Sequence, residues 1–156
     1  MTNFRYADTL SKMPPNITNM DDQQTIALKG ALTYIIGNCR FAFKKLGELN
    51  TKLAALDNEV GAMHRMVQDY LIVRVAGLFD KDSRVVSFEK LCPSDAEYVG
   101  IKNEAIVKKI QYLRNNFAAH ANLNEMLNGN FSDTSEILQS NLIDVLDRLE
   151  QIVKRS

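Results

Sequence analysis

The chain has 156 residues, with nineteen Lys or Arg against nineteen Asp or Glu, so its formal charge is zero at pH 7 with neutral histidines. That length makes one domain able to bury roughly two-thirds of the surface its unfolded chain exposes, with no staple needed. Charge balance excludes a global field that gathers polyanions, so a nucleic-acid ligand must be held by a local patch with salt-sensitive affinity. Cys39 and Cys92 lack metal-ligand spacing and read as thiols in a reducing compartment. His64 and His120 are the only histidines, and neither belongs to a recognised metal set. No phosphate-binding glycine loop is present, so neither cofactor nor metal is expected. Met1 to Arg5 open no apolar run ending in a cleavage site, and no stretch approaches eighteen apolar residues. A soluble cytoplasmic protein without membrane association is expected.

Residues 1–20 carry Pro14-Pro15 and little periodicity, and read as an N-terminal arm or irregular lead-in to a single helical domain over 21–156. Asp21 or Asp22 can cap a long helix from Gln23 to about Leu56, whose apolar residues Ile26, Leu32, Ile35, Cys39, Ala42, Leu46, Leu49, Leu53 and Leu56 recur at three- and four-residue steps. Gly30, Gly37 and Gly47 each weaken a helix by about 1 kcal/mol relative to Ala, so they mark close packing or a bend, and packing is the preferred reading. Asp57-Asn58 breaks the pattern. A second helix runs to about Phe79 with Val60, Met63, Val67, Tyr70, Leu71, Arg74, Val75 and Leu78 along one stripe, and His64 reads as a surface or partly packed residue.

Asp80 to Arg84 form a polar turn, and Val85 to Leu91 an insertion with a helical turn from Ser87. Ser94 then caps a third helix, with Glu97 reaching back to it. This helix carries Val99, Ile101, Ala105, Ile106, Ile110, Leu113 and Phe117 inward. Lys102, Lys108, Lys109 and Arg114 outnumber Glu97 and Glu104, which makes its distal half a small basic cradle. Asn122 to Asn130 reads as a loop. Asp133 and Glu136 make a capping box for a last helix with Ile137, Leu138, Leu142, Val145, Leu146, Leu149, Ile152 and Val153 on its apolar side. The sum is an all-α fold, an antiparallel four-helix, up-and-down bundle with short additional helical turns.

The chemistry concentrates in Tyr112-Leu113-Arg114-Asn115-Asn116-Phe117-Ala118-Ala119-His120. On a continuous α-helix the six-residue step sets Arg114 and His120 about 240° around the axis and about 9 Å along it, on different faces. Joint use requires the helix to end or distort near Phe117 to Ala119, or a second subunit to complete the site. Arginine and histidine suit cleavage of RNA phosphodiesters without a metal. The imidazole moves the proton of the 2′-hydroxyl or of the leaving oxygen, and the guanidinium holds the non-bridging oxygens. DNA lacks that hydroxyl. Asn115 and Asn116 can orient the ring or bond sugar and phosphate. The plain alternative is a polar network at a helix end.

Arg114-Asn115 followed after four residues by His120 resembles the Arg, polar residue, spacer, His motif of the HEPN superfamily of helical domains, many of them ribonucleases of defence systems. Val73-Arg74-Val75-Ala76-Gly77-Leu78-Phe79-Asp80 followed by Val85-Val86-Ser87-Phe88 resembles the junction of its abortive-infection, AbiU2-like branch. The likeness spans about residues 22–153. It implies a HEPN-like homodimer in which both copies of the motif line one cleft. Arg114 would bind phosphate, His120 act as general acid or base and Asn115 fill the polar position, with Asn116, Lys109, Asp69 and Arg74 as supporting candidates. The implied substrate is RNA, the implied role a toxin or phage-defence component, and an antitoxin or regulatory protein the expected partner. The alternative within the same resemblance is a non-catalytic module that dimerises or binds nucleotide, RNA or protein.

Overall fold

The computed structural model describes residues 20–53, 57–118 and 134–156. Among these the fold is all-α, with no strand: α1 (Asp22–Asn50), α2 (Asn58–Gly77), α3 (Phe88–Leu91), α4 (Ala96–Lys102), α5 (Ala105–Leu113), a π-helical turn over Arg114–Ala118 that continues α5, α6 (Thr134–Leu138) and α7 (Leu142–Arg155). The four principal elements, α1, α2, α5 with its π turn, and α7, pack around one core, and the others are short additional turns. The lead-in before Met20, Ala54 to Leu56 and the loop at 122–130 lie outside the described residues, as does Asp133 of the expected capping box.

Three of the helices, α1, α2 and α4, begin where an aspartate side chain accepts from their free amides. Asp21 accepts from the Gln24 amide at 2.7 Å while the Gln24 side chain accepts from the Asp21 amide, a reciprocal capping box. Asp57 accepts from the Glu59 and Val60 amides at the start of α2. For α4 the cap is Asp95, which accepts from Glu97 and Tyr98, rather than Ser94. A carboxylate there also answers Arg155 from α7, which a serine hydroxyl would not do as a charge.

α1 and α7 run antiparallel. Lys29 near the start of α1 bonds the carbonyl of Ser156, Arg40 meets Asp147 and Glu150, and Gly47 faces Leu138. The inward side of α1 is Leu28, Leu32, Ile36, Cys39, Ala42, Leu46 and Leu49. Ile26, expected inside, is 70% exposed, because the true stripe passes through Leu28 and Ile36 instead. Packing does not account for Gly37, around which a Cβ would meet open space. At Gly47 a Cβ would make ordinary contact with Leu138.

On α2 the buried side is His64, Gln68, Leu71, Ile72, Val75 and Ala76, so His64 lies inside rather than at the surface, and Met63 and Tyr70 lie outside. The expected third helix is two helices, interrupted at Asn103-Glu104. Its register differs from the expected one: Tyr98 is fully buried and Val99 exposed. The interruption is fastened from outside, as Glu104 accepts from Asn141 and from Arg148 at 2.5 Å. The expected last helix is likewise two helices, α6 and α7, parted at residues 139–141, where Ser140 Oγ accepts from the Leu142 amide; on α7 the expected apolar positions are all buried, and Leu138 of α6 is partly buried.

Between α2 and α4 the chain is tied down by stacked rings. Tyr98 lies between Phe79 and Phe88, with centroids 5.8 and 5.6 Å away. Its hydroxyl donates to Glu89, which also pairs with Lys102. The Phe88 amide donates to the Leu78 carbonyl at 2.9 Å. These contacts fix the residue that follows Phe79, which is Asp80.

A candidate anion-binding cleft at Arg114

α5 buries Ile106, Val107, Ile110 and Leu113, a stripe that points Leu113 into the core and leaves its neighbour Arg114 at the edge. There the backbone widens into the π turn. A π turn bonds residue i to i+5 and so advances each residue by less than the 100° of an α-helix, which shifts the faces on which later side chains emerge. Such turns are rare and recur at functional sites. His120 lies outside the described residues.

Arg114 reaches Asp80, with Nη2 3.2 Å from Oδ2. Asp80 is well covered, its side chain 18% exposed against 38% for Arg114, and its Oδ1 accepts from the Asp82 amide at 2.9 Å. The carboxylate is therefore held from three directions, by the stacked Phe79 before it, the turn after it and the guanidinium across from it. Asp82 is itself occupied: hydrogen bonds from the Arg84 side chain and then its amide hold the Asp82 carboxyl far below the usual carboxylate range. Among the described residues Asp80 is the one carboxylate that pairs with Arg114, whose guanidinium carries five N–H donors in all.

These residues border a cleft of about 310 Å³ floored by Ala76 and Phe79, with Lys81, Lys102, Gln111 and Asn115 around Arg114. Lys102 is paired with Glu89. Lys81 is exposed and makes no ion pair with a described residue. The arrangement suits an anionic, multiply hydrogen-bonding group the size of a phosphate, which a guanidinium and an amide recognise together.

Of the residues singled out from the sequence, Arg114 and Asn115 share this cleft. Asn116 donates its amide to the Tyr112 carbonyl at 2.9 Å. Lys109 pairs with Glu136 at 2.8 Å beside a separate hollow. Asp69 pairs with Arg65 at 3.3 Å, and Arg74 lies 5.4 Å from the Tyr70 ring centroid. Neither lines the cleft. Sequence reasoning counted Lys102 in the basic cradle but gave no role at the site to Asp80, Lys81 or Gln111. A carboxylate placed directly after Leu78-Phe79 was the available signal, since the quoted junction already contained it.

The other imidazole, His64, is inside the bundle with Nε2 buried and unbonded. Burial, and then the charge of Arg65, push its pKa below the ordinary value. The cysteines are unreactive by environment: burial raises Cys39 to about 12 and Cys92 to about 11. Among the described residues no three His, Cys, Asp or Glu side chains are grouped to hold a metal ion, and no helix is long and apolar enough to cross a membrane. No family model, curated protein or solved structure matches the chain.

Proposed function

We propose that this chain is a metal-independent endoribonuclease of the HEPN-like kind, a toxin or phage-defence component acting in the cytoplasm as a homodimer and held in check by an antitoxin or regulatory protein. The observation that carries the reading is Arg114 at the start of a π-helical turn, braced by Asp80 and facing a cleft with Lys81, Asn115 and Gln111. The all-α four-helix frame is consistent with it. In the proposed reaction a phosphodiester of RNA docks its non-bridging oxygens on Arg114. His120 takes the proton of the 2′-hydroxyl or returns one to the 5′-oxygen that leaves. The 2′-oxygen attacks phosphorus, the bond to the 5′-oxygen breaks, and a 2′,3′-cyclic phosphate remains. Two copies facing one another would supply both residues without requiring one helix face to carry them. The test is RNA cleavage in EDTA by the wild type, Arg114→Ala and His120→Ala proteins, with folding and mass checked in each. Cleavage retained in both variants rejects this site.

A second reading has its own support. Arg114, Lys102 and Lys109 are already paired with Asp80, Glu89 and Glu136, which lowers the net positive charge offered to RNA. A non-catalytic module that binds nucleotide, RNA or protein fits that neutrality. It predicts binding without cleavage, and weaker dimerisation when Arg114 or His120 is replaced.

A further inference from the structure

Once the core is assigned, α2 retains a second apolar row. Met63, Met66, Tyr70 and Val73 recur at three- and four-residue steps on its outer side, 48, 71, 38 and 40% exposed. On α1, Tyr34 and Phe41 are 71 and 70% exposed, and their seven-residue separation sets them nearly in line. The two rows meet, since Asn38 and Phe41 of α1 and Met66 and Tyr70 of α2 line one groove of about 420 Å³. Gly37, for which no neighbour within the chain calls, lies beside Phe41 on the same outer side of α1.

The α2 row is uncharged at its centre and charged at its ends, with Glu59 opening it and Arg74 closing it, while Lys45 of α1, paired with Glu48, also borders the groove. The midpoint between Glu59 and Arg74 falls at Met66-Val67. A two-fold axis there, with the two α2 helices antiparallel, sets Glu59 of each copy opposite Arg74 of the other and Met63 opposite Tyr70, with Met66 at the centre. The pattern is thus complementary to itself. Its composition, aromatic and methionine residues within a polar margin, is that of an interface core. The three aromatic rings alone expose on the order of 350 Å², within the size of patches that are often functional. Met63, Met66, Val73 and the charged ends extend it toward the ~800 Å² per partner of a standard interface.

We infer that this outer face of α1 and α2 binds a second copy of the chain, antiparallel about Met66. The inference does not rest on the ribonuclease reading. Asp80 and Arg114 lie beyond Arg74 at the far end of α2, so this contact sets the two clefts at opposite ends of the dimer and is separate from one that joins them.

Sedimentation velocity of the full chain at low salt tests it. Wild type is expected to associate at micromolar concentration, as a dimer through this face alone or as a larger assembly where the cleft contact also forms, and Met66→Lys to weaken association through this face about thirtyfold or more, as for a central interface residue. Glu59→Arg weakens it by a smaller factor, and the double exchange Glu59→Arg with Arg74→Glu restores it. Because these side chains are exposed, circular dichroism should be unchanged in each variant. A wild-type monomer overturns the inference and leaves the face to another protein or to residues 1–19. A dimer indifferent to Met66→Lys overturns it as well, placing self-association elsewhere, and failure of the double exchange overturns the antiparallel pairing. RNA cleavage measured on the same variants reports on the ribonuclease reading independently.

Discussion

Arginines on the α7 side of the bundle and the arginine of the cleft are used differently. Arg40 meets Asp147 and Glu150 at 2.6 and 3.0 Å, Arg148 meets Glu97, Glu104 and Asp144, and Arg155 meets Asp95 and Glu97. Each spends its donors on two or three carboxylates and clasps one helix to another. Among the described residues Arg114 meets one carboxylate, Asp80, and lines the cleft. The difference teaches that the two kinds of pairing are not equivalent: the clasping arginines each join two or three carboxylates between elements, whereas Arg114 pairs with one carboxylate at the edge of a cleft.

The sharpest way to break that comparison is to truncate both kinds. Arg114→Ala is expected to lower RNA cleavage about 10²- to 10³-fold, the cost of losing one stabilising donor set in a transition state, with little change in melting temperature. Asp80→Asn keeps the shape and removes the brace. It is expected to weaken binding of a short single-stranded RNA about tenfold, on the scale of one hydrogen bond to a charged group, again with the fold intact. A loss of helicity in either variant would instead assign the pair to folding.

Acid sharpens the comparison through the carboxylates. Hydrogen bonding from Arg40 holds Glu150 below its ordinary value, and the Tyr98 amide, with Arg155, does the same for Asp95. In each case the unfolded chain takes up protons at higher pH than the fold does. The stability they contribute is complete above the ordinary carboxylate range near pH 4 and is lost as pH falls through the depressed folded values. His64, also depressed, adds an earlier step with the same sign. Its contribution is full above about pH 6.5 and lost as pH falls toward its folded value. Thermal melts at pH 7, 5 and 3 should fall in two stages, and His64→Gln should flatten the first.

The smallest effect is expected at the clasp itself. Arg148→Ala should cost at most about 1 kcal/mol in urea unfolding, because the pair is a third exposed and solvent screens it. RNA cleavage should be unaffected.

How much of this was legible beforehand differs by element. The apolar positions of α7 were read correctly because its polar and apolar faces are cleanly separated, but its break from α6 at residues 139–141 was not foreseen. α2 was misread because it carries two apolar rows. Periodicity finds both but does not say which faces the core, so Met63 and Tyr70 were taken for His64 and Gln68. The break at Asn103-Glu104 was not visible because it depends on Asn141 and Arg148 from a distant helix. At the site, Arg114 and Asn115 were legible as a local motif and line the cleft, and a π turn begins at Arg114; His120, whose six-residue step called for an end or distortion of the helix, lies outside the described residues. Asp80 escaped because its role depends on folding across more than thirty residues.

The central claim is tested most directly by end-group analysis of RNA incubated with the full-length protein in EDTA. The account predicts 2′,3′-cyclic phosphate and 5′-hydroxyl ends that vanish with His120→Ala and with Arg114→Ala. Intact RNA, ends bearing 3′-hydroxyl and 5′-phosphate, or cleavage that survives both substitutions would contradict it.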